Sequence, residues 1–257
     1  MSNIEYHFEN KRVLVTGATS GMGEAIALSF AKSGAKVTLT GRNEQKGRLL
    51  TNQLEARGRT AHFISGDITD RFFCDRLVHD SVDKMDGLDI LVNSAGVIFH
   101  GTVEETTDEC WLETMNVNVN GMFFVCRAAM PYLKQSSSGV VLNIASDAGL
   151  TGSPHLTAYC ASKGAVIQMS RAMAKDYSPH VRVIPICPGD VDTPMLRGEF
   201  EQRGIDVQTG LQESAEGVPM KRVCDAQEVA DLVLYAASDS VTFMTGYPLV
   251  VDGGSRA

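Results

Sequence analysis

Tyr159 and Lys163 lie four positions apart in the run Thr-Ala-Tyr-Cys-Ala-Ser-Lys. On a helix this spacing places a phenol and an ammonium on the same face, one turn apart. A cation beside a phenol favours the phenolate, so the pair predicts a lowered pKa for Tyr159. A tyrosine with such a pKa exchanges a proton with a carbonyl or an alcohol near neutral pH. Because Tyr-x-x-x-Lys also occurs by chance, its interpretation depends on the rest of the chain.

A glycine-rich turn at residues 16–23, Thr-Gly-Ala-Thr-Ser-Gly-Met-Gly, follows a short apolar segment and precedes a helical pattern. We expect Gly17 to permit the tight turn, Gly21 to admit a pyrophosphate close to the backbone, and Gly23 to let the helix pack on the sheet. The N-terminus of that helix offers unpaired N–H groups to phosphates. A glycine-rich loop without a ligand is the alternative, and the strand–turn–helix context favours a dinucleotide site.

The end of the second predicted strand bears on which dinucleotide binds. An acidic residue there would bind the ribose 2′-hydroxyl of NAD, but the chain has Gly41-Arg42-Asn43. Arg42 can pair with a 2′-phosphate, so the sequence favours NADP over NAD. The alternative for Arg42 is a solvated loop charge. Asp67, after the third predicted strand, either accepts a hydrogen bond from the adenine amino group or is the N-cap of the next helix.

Short apolar segments alternate with helical patterns along the whole chain. The predicted strands cover residues 11–16, 37–40, 61–64, 88–92, 139–144, 181–186 and 249–251. The predicted helices cover residues 22–32, 44–57, 71–85, 110–135, 157–177 and 226–237. This alternation predicts an α/β fold with a doubly wound, seven-stranded parallel sheet of the Rossmann type and helices on both faces.

The chain shows no linker, repeat or low-complexity block, so we predict a single domain over residues 1–257. The segment 194–222 differs from the rest, because it mixes Gly, Glu, Gln and Met with little periodicity. A stretch of this length inside a compact domain is often a lid or a binding loop, and we expect it to border the substrate.

Net charge and cysteine spacing restrict the classes of partner and ligand that we expect. The formal net charge is −8 and no basic run is present, which argues against nucleic acid or a membrane surface as partner. The six cysteines are scattered, without Cys-x-x-Cys or zinc spacing, so we expect reduced thiols, no metal and a cytoplasmic location.

The motifs together resemble those of the classical short-chain dehydrogenase/reductase family, over residues 11–254. Ser94 is a departure, because the family has a second asparagine at that position. After the glycine turn, the matching elements in chain order are Asn93-Ser94-Ala95-Gly96, Asn118-Val119-Asn120-Gly121, Ser146, Tyr159 with Lys163, and Pro188-Gly189 with Thr193.

The resemblance implies a role for each matching residue. Tyr159 would be the general acid/base, and Lys163 would lower its pKa and hold the nicotinamide ribose. Ser146 would hydrogen-bond the substrate oxygen, and Asn118 would hold a water that links Lys163 to solvent. The implied cofactor-binding residues are Gly17, Thr19, Ser20, Gly21, Met22, Gly23, Arg42, Asp67, Ile68, Asn93, Ala95, Gly96, Tyr159, Lys163, Pro188, Gly189, and Val191 with Thr193 at the carboxamide.

The candidate substrate-binding residues are Ser146, Asp147, Tyr159 and Asp190. Asp190 either selects a polar or hydroxylated substrate or caps the next helix, and the cap is the favoured interpretation. His155 is either a surface residue, which we favour, or a substrate contact.

The predicted function is an NADP-preferring oxidoreductase that transfers a hydride between the cofactor and a ketone or secondary alcohol. The alternatives are an NAD-dependent alcohol or polyol dehydrogenase, a non-catalytic dinucleotide sensor, and a nucleotide-sugar epimerase or dehydratase. The family also implies a homo-oligomer, a tetramer or dimer, paired through the helices at 110–135 and 157–177.

Overall fold

A computed structural model describes residues 5–257 of the chain, and its centre is a parallel β-sheet. The strands are β1 (Arg12–Thr16), β2 (Lys36–Gly41), β3 (Ala61–Ser65), β4 (Ile90–Asn93), β5 (Gly139–Ile144), β6 (Val181–Pro188) and β7 (Leu249–Val251). They pair in the order β3-β2-β1-β4-β5-β6-β7. The predicted Rossmann-type fold is therefore confirmed, and the strand order reverses between β1 and β4.

Helices cover both faces of the sheet. They are α1 (Gly21–Lys32), α2 (Glu44–Glu55), α3 (Arg71–Met85), α4 (Asp108–Met115), α5 (Met122–Leu133), α6 (Thr157–Tyr177), α7 (Pro194–Gln202), α8 (Val207–Gly217) and α9 (Ala226–Ala237). Successive strand residues point to opposite faces. Val13 and Val15 of β1 pack in one apolar cluster with α1 and α9. Leu14, between them, packs in the other with α3, α5 and α6.

The long helix predicted over residues 110–135 has a different internal structure. It begins at Asp108 after the cap Thr107, whose side chain accepts a hydrogen bond from the Cys110 N–H. The segment Asn116–Gly121 is π-helical and separates α4 from α5. Such a segment shifts the register of the helix by an extra residue and is frequent at functional sites. It contains Asn118.

The segment 194–222, predicted as an irregular lid or binding loop, contains two helices. Thr193 caps α7 by accepting a hydrogen bond from the Leu196 N–H. Asp206 caps α8 by accepting from the N–H groups of Gln208 and Thr209. The Phe200 ring of α7 lies where a side chain at Gly210 of α8 would be, so the two helices pack closely. The two caps and this contact stabilise α7 and α8, although the segment has weak hydrophobic periodicity.

Candidate active site

The first part of the site is a cleft of about 330 Å³ at the carboxyl ends of β1, β2 and β4, where the strand order reverses. Ligands of open α/β sheets bind at such a reversal. The predicted cofactor residues that line it are Gly17, Thr19, Ser20, Gly21, Met22, Gly23, Arg42, Asp67, Ile68, Ala95, Gly96 and Thr193.

The glycines of the turn occupy positions that a side chain would block. Gly17 has φ +65°, and a Cβ there would lie 2.7 Å from the Ala95 Cα. A Cβ on Gly23 would collide with the Gly17 carbonyl oxygen. At the Ser20 N-cap, no side-chain bond to the first N–H groups of α1 is formed within the described residues. A pyrophosphate fits this arrangement, because free N–H groups and the positive end of the helix dipole meet open space.

The end of the cleft beside β2 is basic. Arg42 is exposed and lines the cleft, and its side chain forms no ion pair or hydrogen bond with residues 5–257. Lys46, in the first turn of α2, lies in the same lining and was not predicted. Its spacing from Arg42 is visible in the sequence, but the spacing alone does not place Lys46 in the cleft. That position depends on the Asn43 cap, which turns the chain towards the cleft.

Asp67 lies in the cleft, and its proposed alternative as a helix N-cap is wrong. The N-cap of α3 is Asp70, whose side chain accepts a hydrogen bond from the Phe72 N–H. The Asp67 carboxylate instead accepts from the backbone N–H and the hydroxyl of Thr69, both at 2.9 Å. This contact orients the carboxylate at the edge of the cleft, at the end where the sequence predicts the adenine.

Six of the predicted cofactor residues do not line the cleft. Tyr159, Gly189 and Val191 line a neighbouring cavity, and Asn93, Lys163 and Pro188 line neither space. Asn93 is buried, and its amide donates to the Asn143 Oδ1 at 2.9 Å. Asn143 donates in turn to the Ser170 hydroxyl, which links β4, β5 and α6. Pro188 ends β6 and is also outside the lining. Both residues are placed to support the site from within the sheet.

A second cavity, of about 140 Å³, adjoins the cleft and shares Met22, Thr193 and Met195 with it. Its lining includes the predicted residues Ser146, Asp147, Tyr159, Gly189, Asp190 and Val191. The serine and tyrosine hydroxyls therefore face one space beside the dinucleotide cleft. Ser146 has an extended backbone and caps the short 3₁₀ turn Asp147–Gly149, which holds its hydroxyl at the end of β5.

The predicted lowering of the Tyr159 pKa by Lys163 is wrong for this structure. Part of the ring is accessible, but the hydroxyl is enclosed, and this burial raises the pKa of Tyr159. A hydrogen bond with Ser146 lowers that pKa by a smaller amount, and the Asp147 carboxylate raises it. Burial disfavours the phenolate because the charged form loses its hydration.

Lys163 is buried below Tyr159, with its Nζ 5.5 Å from the centre of the tyrosine ring. The Nζ donates a hydrogen bond to the Ile144 carbonyl oxygen at 2.9 Å. Burial lowers the pKa of Lys163 to about 8, because the ammonium is removed from water. A Cβ on Gly96 would lie 3.6 Å from this Nζ, so Gly96 of the cleft lining lies next to the buried ammonium.

Asn118 connects the π-helical segment to the loop after β4. Its Oδ1 accepts from the Val97 N–H at 2.8 Å, and its Nδ2 donates to the Val97 carbonyl oxygen at 2.9 Å. The Nδ2 also donates to the Ser162 hydroxyl at 3.0 Å. Because the side chain is engaged in these bonds, it holds the loop after β4 in place.

The substrate side contains a carboxylate that was not predicted from the sequence. Glu199 of α7 lines the second cavity with Asp147 and Asp190. The favoured interpretation of Asp190 as a helix cap is wrong, because Thr193 caps α7. Asp190 is exposed to solvent as a residue, but protein groups around its carboxylate displace part of the hydration. This loss of hydration raises the pKa of Asp190. The absence of periodicity in the segment 194–222 concealed the position of Glu199.

His155 lies outside the lining of the second cavity, on the surface. Its ring stacks on His100 with 5.0 Å between the ring centres. Residues 5–257 contain no cluster of side chains that could hold a metal ion. Within the same residues, the structure contains no helix with the length and apolar character needed to cross a membrane.

Known proteins resemble this chain in sequence and in fold. Residues 11–204 match the family model described as short chain dehydrogenase. An uncharacterized oxidoreductase of Thermotoga maritima is 37% identical, over 98% of this chain and 99% of the relative. A 3beta-hydroxysteroid dehydrogenase of Mediterraneibacter gnavus is 36% identical, over 96% and 95%. A crystal structure of an actinorhodin polyketide ketoreductase variant with NADPH superposes with a TM-score of 0.91 at 30% identity, over 97% of this chain and 98% of the other.

Proposed function

This chain belongs to the short-chain dehydrogenase/reductase family and is an NAD(P)-dependent oxidoreductase acting on hydroxyl groups, and we propose that it prefers NADP and uses Tyr159 as general acid/base. The reaction interconverts a secondary alcohol and a ketone. The observation that supports the assignment is the position of the Ser146 and Tyr159 hydroxyls in one cavity that adjoins the glycine-turn cleft.

The nicotinamide, when bound, supplies or accepts the hydride; the side chains manage the proton and the charge. Tyr159 Oη takes the hydroxyl proton of an alcohol, or gives a proton to the oxygen of a ketone. Ser146 Oγ donates a hydrogen bond to the same substrate oxygen, which stabilises the negative charge that develops there. Burial of the Tyr159 hydroxyl strengthens its interaction with the substrate oxygen, because less water competes there.

Lys163 and Asn118 support this chemistry in the proposal. The Lys163 ammonium holds the ribose of the cofactor from the side of Gly96, whose place next to the Nζ supports this role. Because burial already lowers its pKa to about 8, Lys163 can also lose and regain a proton near neutral pH. Asn118 fixes Val97 and Ser162, and so keeps the wall between the lysine and the cleft in place.

NADP is the favoured cofactor because the ribose end of the cleft is basic. Arg42 and Lys46 both line this end, and the residues that follow β2 include no carboxylate before Glu44. Glu44 is itself paired with Arg48 at 2.7 Å. A 2′-phosphate would therefore meet two cations, of which the planar guanidinium can bind it with two hydrogen bonds.

A screen of secondary alcohols and ketones with NADP and NAD in parallel tests the proposal, with turnover read at the nicotinamide absorbance band. We expect turnover of at least one alcohol, with a kcat/KM about tenfold or more higher for NADP than for NAD. This ratio corresponds to the free energy of one charge-assisted contact with the 2′-phosphate. Tight cofactor binding without turnover across the screen would contradict the enzymatic role. A higher kcat/KM with NAD would contradict only the preference.

We also propose that the protein is a homo-oligomer, a dimer or tetramer. Trp111, Leu112 and Phe123 expose apolar surface on the continuous helix formed by α4, the π segment and α5. Grouped exposed apolar side chains often mark an interface. Sedimentation velocity at working concentration measures the state directly, and we expect a species of two or four chains; a monomer would contradict the proposal.

A further inference from the structure

Glu199 has an unusual environment for a carboxylate. The residue is only 9% exposed, and it lines the second cavity together with Ser146 and Tyr159. The carboxylate accepts no hydrogen bond from residues 5–257. Its nearest cation is the Arg203 Nη1, at 3.7 Å from Oε1, which is beyond hydrogen-bond distance. The carboxylate oxygens keep some exposure to the cavity, so a ligand that fills the cavity has to supply a donor at this position.

Resting on the proposed function, we propose that Glu199 selects a neutral substrate with a second hydroxyl group next to the reacting carbon, a vicinal diol or an α-hydroxy ketone. The second hydroxyl donates its hydrogen bond to the Glu199 carboxylate, while the reacting oxygen lies at Ser146 and Tyr159. The size of the cavity supports neighbouring positions for the two oxygens, because about 140 Å³ spans only a few bonds.

The charges around the cavity exclude an anionic substrate and disfavour a cationic one. Asp147, Asp190 and Glu199 all face the cavity, so a substrate carboxylate would be repelled. Two of the three already have a guanidinium nearby: Asp147 has Arg256 at 3.2 Å, and Glu199 has Arg203. A substrate ammonium would compete with these cations and would have to lose its own hydration.

An apolar substrate is disfavoured for a different reason. If an alkyl group filled the space beside Glu199, the carboxylate would lose contact with water and gain no donor in return. A hydroxyl group of the same size avoids this loss. Sites built to bond a hydroxyl group discriminate strongly against the analogue that lacks it.

Contacts of α7 with neighbouring segments hold Glu199 in position. Gln202, at the end of α7, accepts a hydrogen bond from the His100 N–H at 3.2 Å. Its amide donates to the Ile98 carbonyl oxygen at 3.4 Å. On the other side, Phe200 packs on Gly210 of α8. Preorganisation of this kind is what a specificity contact requires.

A matched series of alcohols tests the proposal: 1,2-propanediol, 2-butanol, 1-amino-2-propanol and 3-hydroxybutanoate share one carbinol and differ in the neighbouring group. Turnover with NADP and NAD is measured, and binding with the reduced cofactor present is measured by calorimetry, which needs no turnover. We expect kcat/KM and affinity about tenfold or more higher for the diol than for 2-butanol, as for a hydrogen bond to a charged group. We expect no measurable use of the anion.

Two variants and a matched control separate specificity from folding. Glu199→Met removes the acceptor, and we expect the diol preference over 2-butanol to fall to within about twofold. Glu199→Gln keeps an acceptor oxygen, so a reduced preference should persist. Glu201→Gln and Glu201→Met change an exposed residue of the same helix and should alter nothing. Thermal unfolding of each variant checks that the fold is retained.

The outcomes distinguish this inference from the proposed function. Some results would overturn the role of Glu199 and leave the oxidoreductase assignment intact. They are equal use of 2-butanol and the diol, a preference for the ammonium substrate over the diol, and an unchanged diol preference in Glu199→Met. Failure of the diol to bind would also overturn it. The assignment itself fails only on the broad screen.

Discussion

The cofactor cleft and the substrate cavity adjoin each other at the same edge of the sheet, but their construction differs. The cleft is formed mainly by backbone, with Gly17, Gly21 and Gly23 close together in the chain. The cavity is formed by side chains from distant segments, among them Ser146, Tyr159 and Glu199. A backbone site tolerates many sequences and binds a common ligand, whereas a side-chain site sets the substrate. We therefore expect mutations in the two regions to have separable effects.

The largest effect is expected in the cavity. Ser146→Ala should reduce kcat/KM by about 10²–10³-fold, because the substrate oxygen loses a donor for its developing charge. Cofactor affinity, measured by fluorescence titration of the reduced cofactor, should stay within about twofold if cleft and cavity are independent. Ser153→Ala lies in the same lining and is the matched control, with a small expected effect. A large loss of cofactor affinity in Ser146→Ala would break the distinction.

Lys163 lies where the two regions meet, and the pH dependence of stability tests its environment. Burial lowers its pKa to about 8 from 10.5, so between these values the unfolded chain binds more protons than the folded one. The free energy of unfolding therefore rises with pH in this window. Relative to Lys163→Met, the wild-type protein should gain about 2 kcal/mol between pH 8 and about pH 10.

Denaturant unfolding of both proteins across this range measures the difference. The raised pKa of Tyr159 does not oppose the gain, because the folded and unfolded states both keep the phenol protonated below about pH 10. Parallel pH profiles of the two proteins would show that Lys163 is not desolvated in the folded state.

The smallest effect is expected at the far end of the cleft. Arg42→Ala should weaken NADP binding by about tenfold, because the 2′-phosphate loses its guanidinium partner. NAD binding should change little, and so should the diol preference in the cavity. Arg48→Ala, an exposed residue of α2 paired with Glu44, is the control. Equal losses for NADP and NAD would show that Arg42 does not contact the 2′-phosphate.

The same contrast explains what could be predicted from the sequence. The glycine turn is a contiguous segment, and its strand–turn–helix context could be recognised from the sequence. The helices at residues 71–85 and 157–177 and the strand at 139–144 have the predicted bounds. Such elements carry their signals within their own segment, as the Asp70 cap does for α3.

What was missed depends on tertiary contacts. The π-helical segment at Asn116–Gly121 has no periodicity of its own to mark it. Lys46 and Glu199 are ordinary surface-type residues until the fold turns them towards the cleft and the cavity. The Tyr159 pKa also depends on burial, which the spacing from Lys163 does not reveal. The location of the Ser146 and Tyr159 hydroxyls was therefore predictable, but their electrostatic environment was not.

Replacement of Tyr159 by Phe tests the central claim most directly, because it removes the phenolic oxygen and leaves the ring. On an alcohol confirmed by the screen, single-turnover hydride transfer should fall by about 10²–10⁴-fold at neutral pH. Affinity for NADP and thermal stability, measured alongside, should remain near those of the wild-type protein. Hydride transfer at the wild-type rate in Tyr159→Phe would show that the proton is handled by another group.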